Sequence, residues 1–343
     1  MANIGVSSTP KTYKSWANGY KSLIDTSYKK GMDYRDCFYR SSTDNWDDRL
    51  VEMGSTGGFG SWDAGDRAQQ SDMEEGYAQT FTQVRYGEEV AIGTLAEKFQ
   101  GRDVRLTRRA SRGLGKDAYL LQQKSAFSVL NYGYATTNDY LSGVNGSTVS
   151  ALGPDGIRLF STVHVISPNN STTWSNALSD NAAVGEDALK AMIENLHQQP
   201  DERGNQKHYG GSGYTWYVPL EKFPDASRIV GSKLRAETAD NDKNVYGGAF
   251  DGRPITVKWV PFLSDSSNSP SATRTTAHFL VANDSVEDEN LVCLTSQPFY
   301  IDDYVDDPTD TAYVRGRCTF SIGFVSGRGI VGSRGTGTGT YSS

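Results

Sequence analysis

Three residues close together in the chain have the types that acyl-transfer chemistry uses: Asp155, Ser161 and His164. A serine activated by an imidazole that a carboxylate orients makes a hydrolytic triad, and such triads are defined by spatial roles, not by sequence proximity. No Gly-x-Ser-x-Gly elbow surrounds Ser161, so the turn that presents a nucleophilic hydroxyl is missing. The four histidines, His164, His197, His208 and His278, show no His-x-x-x-His spacing, and Cys37, Cys293 and Cys318 form no CxxC pair. Neither a zinc site nor a disulfide framework follows from them. Gly-Gly-Ser-Gly at 210–213 lacks the strand-then-helix context of a nucleotide loop. The sequence predicts no catalytic residue, no cofactor and no metal, with a soluble hydrolase using Ser161 and His164 as the rival reading.

Electrostatic complementarity offers chemistry of a different kind. Arg102, Arg105, Arg108, Arg109, Arg112 and Lys116 crowd a short stretch, whereas residues 275–314 contain no Lys or Arg and include Asp302, Asp303, Asp306 and Asp307. Either these are two halves of one contact between chains, or they are solvated faces that never meet; exposed ion pairs are worth only about 0–1 kcal/mol each. Phe59 and Trp62, in the Gly-rich run Gly54–Trp62, are the aromatic candidates for the same kind of contact. The net charge of −7 argues against a general grip on nucleic acid.

The elements that must position these residues can be read from periodicity. Leu106, Ala110, Leu114, Ala118, Leu121, Ser125 and Val129 recur at steps of three and four, predicting one long helix over Arg102–Tyr132 that carries the Arg run. Gly113 and Gly115 each disfavour that helix by roughly 1 kcal/mol relative to Ala, and mark a kink or a close crossing. A second helix is expected over Glu186–Gln198, with acids in its first turn and Pro200 beyond its end. Strands are expected at Tyr214–Val218, Ile255–Val260 and Ala277–Ala282, with a short helix after Pro219. Asn290–Tyr304 and Ala312–Val325 read as long antiparallel strands around an acidic turn. Residues 77–92 read as one long strand which, with the stretch before the Gly-rich tip, makes a projecting hairpin.

Composition sets the context. Of 343 residues only 36% are hydrophobic, while 36 are Gly and 11% are aromatic, so a single large dry core is not expected and contacts between subunits would satisfy the remaining surface. The aromatics argue against disorder. The first ten residues show no basic then apolar leader, and nowhere do about 18 apolar residues run together. A soluble protein that stays in the cytoplasm where it is made is the expectation.

The segment Leu159-Phe-Ser-Thr-Val-His164, ending in Ser175-Asn176, is followed by the 186–198 helix, a Tyr-Val-Pro strand and Thr238-Ala-Asp-Asn-Asp242. The C-terminal part holds Arg315-Gly-Arg-Cys-Thr-Phe-Ser-Ile-Gly-Phe324 and Arg328-Gly-Ile-Val-Gly-Ser-Arg-Gly335. This order of pieces resembles the major capsid proteins of tailed bacteriophages, with the Hong Kong 97-type fold, and is most similar to the Mu-type major head subunit. The resemblance implies an α+β chain with an N-terminal arm (1–41), an extended hairpin loop (42–101), a spine helix and peripheral domain (102–181), an axial domain (182–283), peripheral return strands (284–331) and a flexible tail (332–343). It implies self-assembly as hexamers and pentamers into an icosahedral shell that encloses double-stranded DNA without sequence-specific binding. Portal, scaffold and decoration proteins are the implied partners. The implied location is the virion, after assembly in the host bacterial cytoplasm, with no membrane involved. An encapsulin-like compartment shell is the alternative within the same fold.

Overall fold

The computed structural model describes residues 20–54, 75–93, 103–138, 149–232, 244–265, 275–306 and 311–336. Two sheets organise them. The first has the order β1-β13-β14-β4, from Tyr39–Ser42, Leu291–Asp306, Thr311–Phe324 and Val84–Gly93. Its centre is the long antiparallel pair of β13 and β14, of 16 and 14 residues, with β1 parallel to β13 and β4 antiparallel to β14. Across it lies the 29-residue helix Asp103–Asn131, called α2 here because residues 20–29 form an earlier helix, α1. At a rise of 1.5 Å per residue α2 is about 43 Å long.

The second sheet has the order β10-β11-β9-β12-β15, from Ala249–Phe250, Arg253–Trp259, Tyr214–Val218, His278–Ala282 and Ile330–Ser333. The strand and helix bounds expected at Tyr214–Val218 and Glu186–Gln198 are those observed. The central strands β9 and β12 are buried at every position, because both faces of the sheet are covered. Their side chains alternate between two cores. Tyr217, Phe279 and Val281 join Phe127 and Leu130 of α2, whereas Trp216, Val218 and Leu280 join Leu189, Met192 and Leu196 of α3 (Glu186–Gln198) and Ala226 and Val230 of α4 (Phe223–Gly231). Apolar residues are few, but they are concentrated on this shared wall.

Buried His278 lies within it, receiving a hydrogen bond at Nδ1 from the Trp216 indole (3.2 Å) and facing the Ala182 carbonyl through Nε2 (3.0 Å). Desolvation lowers its pKa to about 4, so the ring is neutral at pH 7.

Three boundaries differ from the sequence reading. First, residues 20–42 are part of the body and not a free arm: Ile24 and Phe38 are buried, and β1 pairs with β13. Tyr20, Leu23 and Ile24 dock on Leu114 and Val314, a surface that only the tertiary fold supplies. Residues 1–19 lie outside the described residues. Second, the long strand expected over 77–92 is two strands in different sheets. β3 (Glu75–Thr82) pairs with β2 (Asp47–Met53), then the chain turns at buried Gln83 and β4 joins β14. The hairpin is therefore β2 and β3 alone, its tip at 55–74 outside the described residues. Third, the tail does not begin at 332. β15 runs through Ser333, which is fully buried, and Thr276 Oγ1 donates to the Arg334 carbonyl at 2.7 Å. Gly332 is needed there because a Cβ would meet the side chains of Tyr134 and Phe160, so a residue assigned to the flexible tail is a packing residue.

The two glycines of α2 separate cleanly. A Cβ on Gly115 would run into the backbone of Ile24 and Tyr28, so this is where α1 crosses α2, with Ser27 Oγ donating to the Arg112 carbonyl at 2.8 Å beside it. A Cβ on Gly113 meets only the Asp117 carboxylate, at 3.8 Å. Gly115→Ala is expected to destabilise by about 1–3 kcal/mol through overpacking, whereas Gly113→Ala is expected to be neutral or to stabilise by up to about 1 kcal/mol. Urea denaturation of the two variants checks the contrast; equal effects would mean that the helices do not cross at Gly115.

Candidate assembly interface

Sequence-predicted residues fall into three groups. Phe59, Trp62, Arg102 and Asp307 lie outside the described residues, and Arg105 lies in α2 with its side chain undescribed. Arg108, Arg109 and Arg112 are exposed on α2, on the side away from buried Ser111 and Leu114. Asp302, Asp303 and Asp306 are half-buried on β13.

The acidic residues do not form one continuous unpaired patch. Asp302 receives Arg315 Nε (3.2 Å) and Nη2 (2.9 Å) from the opposite position on β14, and Arg317 Nη2 lies 3.0 Å away. These bonds, led by the Arg315 hydrogen bonds, hold the Asp302 carboxyl below its ordinary pKa. Asp303, on the other face of the strand, pairs with Lys21 of α1. Strand alternation explains the split: neighbouring aspartates point to opposite faces, one to a cross-strand arginine and one to the helix above. Around Asp302 the sheet presents a ladder of rings and guanidinia. Tyr304 stacks on Tyr313 at 5.1 Å, Arg315 lies over Tyr304 at 5.4 Å, and Arg317 lies over Tyr300 at 5.4 Å. Tyr and Arg are the residues that protein interfaces favour, and Tyr300 and Tyr304 are exposed. Sequence reading singled out the acids of this face and missed its tyrosines and arginines, although the period-two spacing of Tyr300, Asp302 and Tyr304 was there to be used.

The root of the β2–β3 hairpin is held by Arg328, which the sequence reading placed in a motif without giving it a charge partner. Arg328, only 2% exposed, sends Nε to the Pro200 carbonyl and Nη2 to the Ile166 carbonyl, both at 2.7 Å. Its Nη1 meets Glu202 Oε1 at 3.1 Å and pairs with Glu52 at the end of β2. The guanidinium also lies over the Trp174 ring. Two buried carboxylates thus share one arginine, and Glu202 Oε2 is buried with no hydrogen-bond partner. Burial, with the nearby Glu52 charge, raises the Glu202 pKa against the opposing effect of Arg328. The available signal was an arginine between two glycines in an apolar C-terminal segment.

The Ser161 constellation does not assemble for catalysis. His164 Nδ1 is 2.7 Å from Asp155 Oδ2, as a triad requires, but its Nε2 faces the Leu159 carbonyl at 3.1 Å and the ring is stacked on Trp174. Ser161 Oγ instead accepts the Val163 N–H at 3.3 Å, so the imidazole is not placed to take its proton. Asn176 completes the same structural knot, accepting the Ser161 N–H at 2.9 Å and donating to Leu159 and Gly327 carbonyls. Among the described residues no group of three or more His, Cys, Asp or Glu could hold a metal, and no helix is long and apolar enough to cross a membrane.

No family model matches the chain, and no curated protein matches it in sequence. Solved structures do. The chain is similar to one from the capsid of the cyanophage P-SCSP1u (9% identity, 88% of each chain covered, TM-score 0.51) and to one from the capsid of Ralstonia phage GP4 (11%, 88% of each, 0.51). It is also similar to a chain from Mycobacterium phage Patience (12%, covering 96% of this chain and 89% of that one, 0.51). The fold is the Hong Kong 97-type capsid fold, in an α+β chain.

Proposed function

We propose that this chain is the major capsid protein of a tailed bacteriophage, copies of which tile as hexamers and pentamers into the icosahedral shell around double-stranded DNA. The observation that carries the reading is a capsid fold matched over nearly the whole chain, together with a two-stranded hairpin that belongs to neither of the two main sheets. A two-stranded hairpin is at best marginally stable alone, so its distal part needs a surface to lie on, and a neighbouring subunit provides one. Portal, scaffold and decoration proteins are the partners such a shell would take, and the virion its location. Nothing in the described geometry positions a nucleophile and base together, which favours a structural role over the hydrolase.

Electron microscopy and sedimentation of the purified protein test the reading. Large closed particles or capsomers are expected, and a stable monomer at every concentration would overturn it. Reversal of the exposed Arg108 and Arg109 to Glu is expected to impair assembly far more than it lowers the subunit's melting temperature, because like charges would be brought together across a contact. The compensating change to Lys is made at Asp306 and Asp307. Recovery of particles in the combined variant supports that pairing. Continued failure with a normal fold assigns the Arg face to another surface.

A further inference from the structure

Charge in the Arg328 cluster does not balance. Two carboxylates, Glu52 and Glu202, are set against one guanidinium, and all three side chains are at most 8% exposed. The other partners of Arg328, the Pro200 and Ile166 carbonyls, are neutral, so with both carboxylates ionised the group is one negative charge in excess. Both carboxylates bear on the same nitrogen, Nη1, and Glu202 Oε2 has no hydrogen-bond partner. An uncompensated buried charge is costly, and the direct remedy for a carboxylate is a proton. The surroundings supply little else. Lys207, the other cation acting on Glu202, is held by Asp288 at 2.7 Å. His164 is hydrogen-bonded to Asp155 and stacked on the Trp174 ring that Arg328 also lies over. Tyr77 lies within reach of the charges of Asp155, Glu52 and Arg328, and Tyr209 of that of Arg328. Burial raises the Glu202 pKa above its ordinary 4.5, against Arg328 and with the help of Glu52.

The place of Glu52 in the chain makes that proton consequential. Phe81, paired with Asp48 near the turn at Gln83, is the one buried apolar side chain of β2 and β3. Further along, the register slips between Val51 and Met53, an irregularity of the kind that re-aims a side chain. Glu52 lies there and passes Gly76, where a Cβ would meet its side chain. One fastening of the tip-ward end of the hairpin is therefore a carboxylate on a shared arginine. We propose that the cluster is a proton-controlled latch: with a proton on Glu202 the Arg328 charge belongs to Glu52 alone and the hairpin root is held, and on losing that proton Glu202 competes for Nη1, repels Glu52 and loosens the root. The closed latch holds a proton that the loosened one gives up to water. Opening is thus favoured as pH rises from about 4.5 through the higher folded-state value. The latch acts within one chain, whether or not copies form a shell.

Hydrogen–deuterium exchange of the full-length protein from about pH 4.5 to about pH 8, corrected for the intrinsic pH dependence of amide exchange, tests the latch, with sedimentation holding the assembly state constant across the series. Protection of residues 47–53 and 75–82 is expected to fall as pH rises, by up to about tenfold per pH unit, the limit for one proton. Glu202→Gln, neutral throughout, should keep the low-pH protection at every pH. Glu52→Gln, which cuts the link from the hairpin side, should be less protected than the unaltered protein at low pH and equally indifferent to pH. Protection of the hairpin that does not change with pH in the unaltered protein would overturn the proposal. So would the unaltered protein's pH response persisting in either variant. Amides of β9 and β12 report whether each variant folds, and where one does not, the other decides.

Discussion

Replacing Arg328 with methionine is expected to cost the subunit about 3–5 kcal/mol at neutral pH, the range for removing one partner of a buried charge cluster. The arginine answers two carboxylates and two backbone carbonyls, and Glu202, buried with one oxygen already without a partner, has nothing to replace it. The loss has a pH signature. The folded-state pKa of Glu202 is already raised by burial, and removing Arg328 withdraws the one influence that holds it down most strongly. A raised carboxyl pKa means that the folded state holds a proton the unfolded state has released, so stability is greatest below the unfolded value and falls as pH rises through the folded value. The deficit of the Arg328→Met variant is therefore expected to be largest near pH 7 and to shrink as pH falls toward about 4.5. Adding Glu202→Gln should recover part of it at neutral pH. Urea midpoints measured across that range check this, and a deficit independent of pH would mean that lost packing, not uncompensated charge, is the cause.

Replacing residues 55–71 with a short Gly-Ser turn is expected to abolish closed shells while leaving the melting temperature of the subunit nearly unchanged. The deletion spares Glu52 and the last hairpin pair, Met53 with Glu75, so the root of the hairpin stays locked to Arg328. What is removed is no part of the described cores, and connecting loops contribute to partner contacts more than to their own domain. Particles of normal yield and shape from this variant would take the hairpin out of the assembly mechanism. A large fall in melting temperature would show that the tip folds back on its own body.

How much of this was legible follows the range of the signals. The helix Glu186–Gln198 and the strand Tyr214–Val218 were readable because periodicity, first-turn acids and the flanking Pro200 and Pro219 all act within a few residues. The crossing at Gly115 was half legible: the glycine signalled an anomaly, but the Ile24 backbone that requires it lies 91 positions away. The division between β3 and β4 was not legible, since Gln83 reads as an ordinary polar residue in an alternating run and only the positions of Trp46 and β14 make the chain change sheets there. The charge candidates divided in the same way. Arg108, Arg109 and Arg112 lie exposed on α2, whereas Asp302 and Asp303 were counted together because their cross-strand and helix partners are set by register, which sequence spacing does not disclose. The role of Arg328 was not legible because its counter-charges, Glu52 and Glu202, are 276 and 126 positions away.

The wall formed by β9 and β12 has a consequence for how the subunit comes apart. Adjacent residues of each strand, Trp216 with Tyr217 and Leu280 with Phe279, are committed to opposite sides, so neither side can loosen without stripping neighbours from the other. The subunit should therefore melt as one cooperative unit, with the slowest-exchanging amides on these two strands and no stage at which the α2 side is fluid while the α3 side holds. A tile built this way yields at its edges, through β4 and the β2–β3 hairpin, and deformation during assembly would be confined there while the middle moves as a rigid plate.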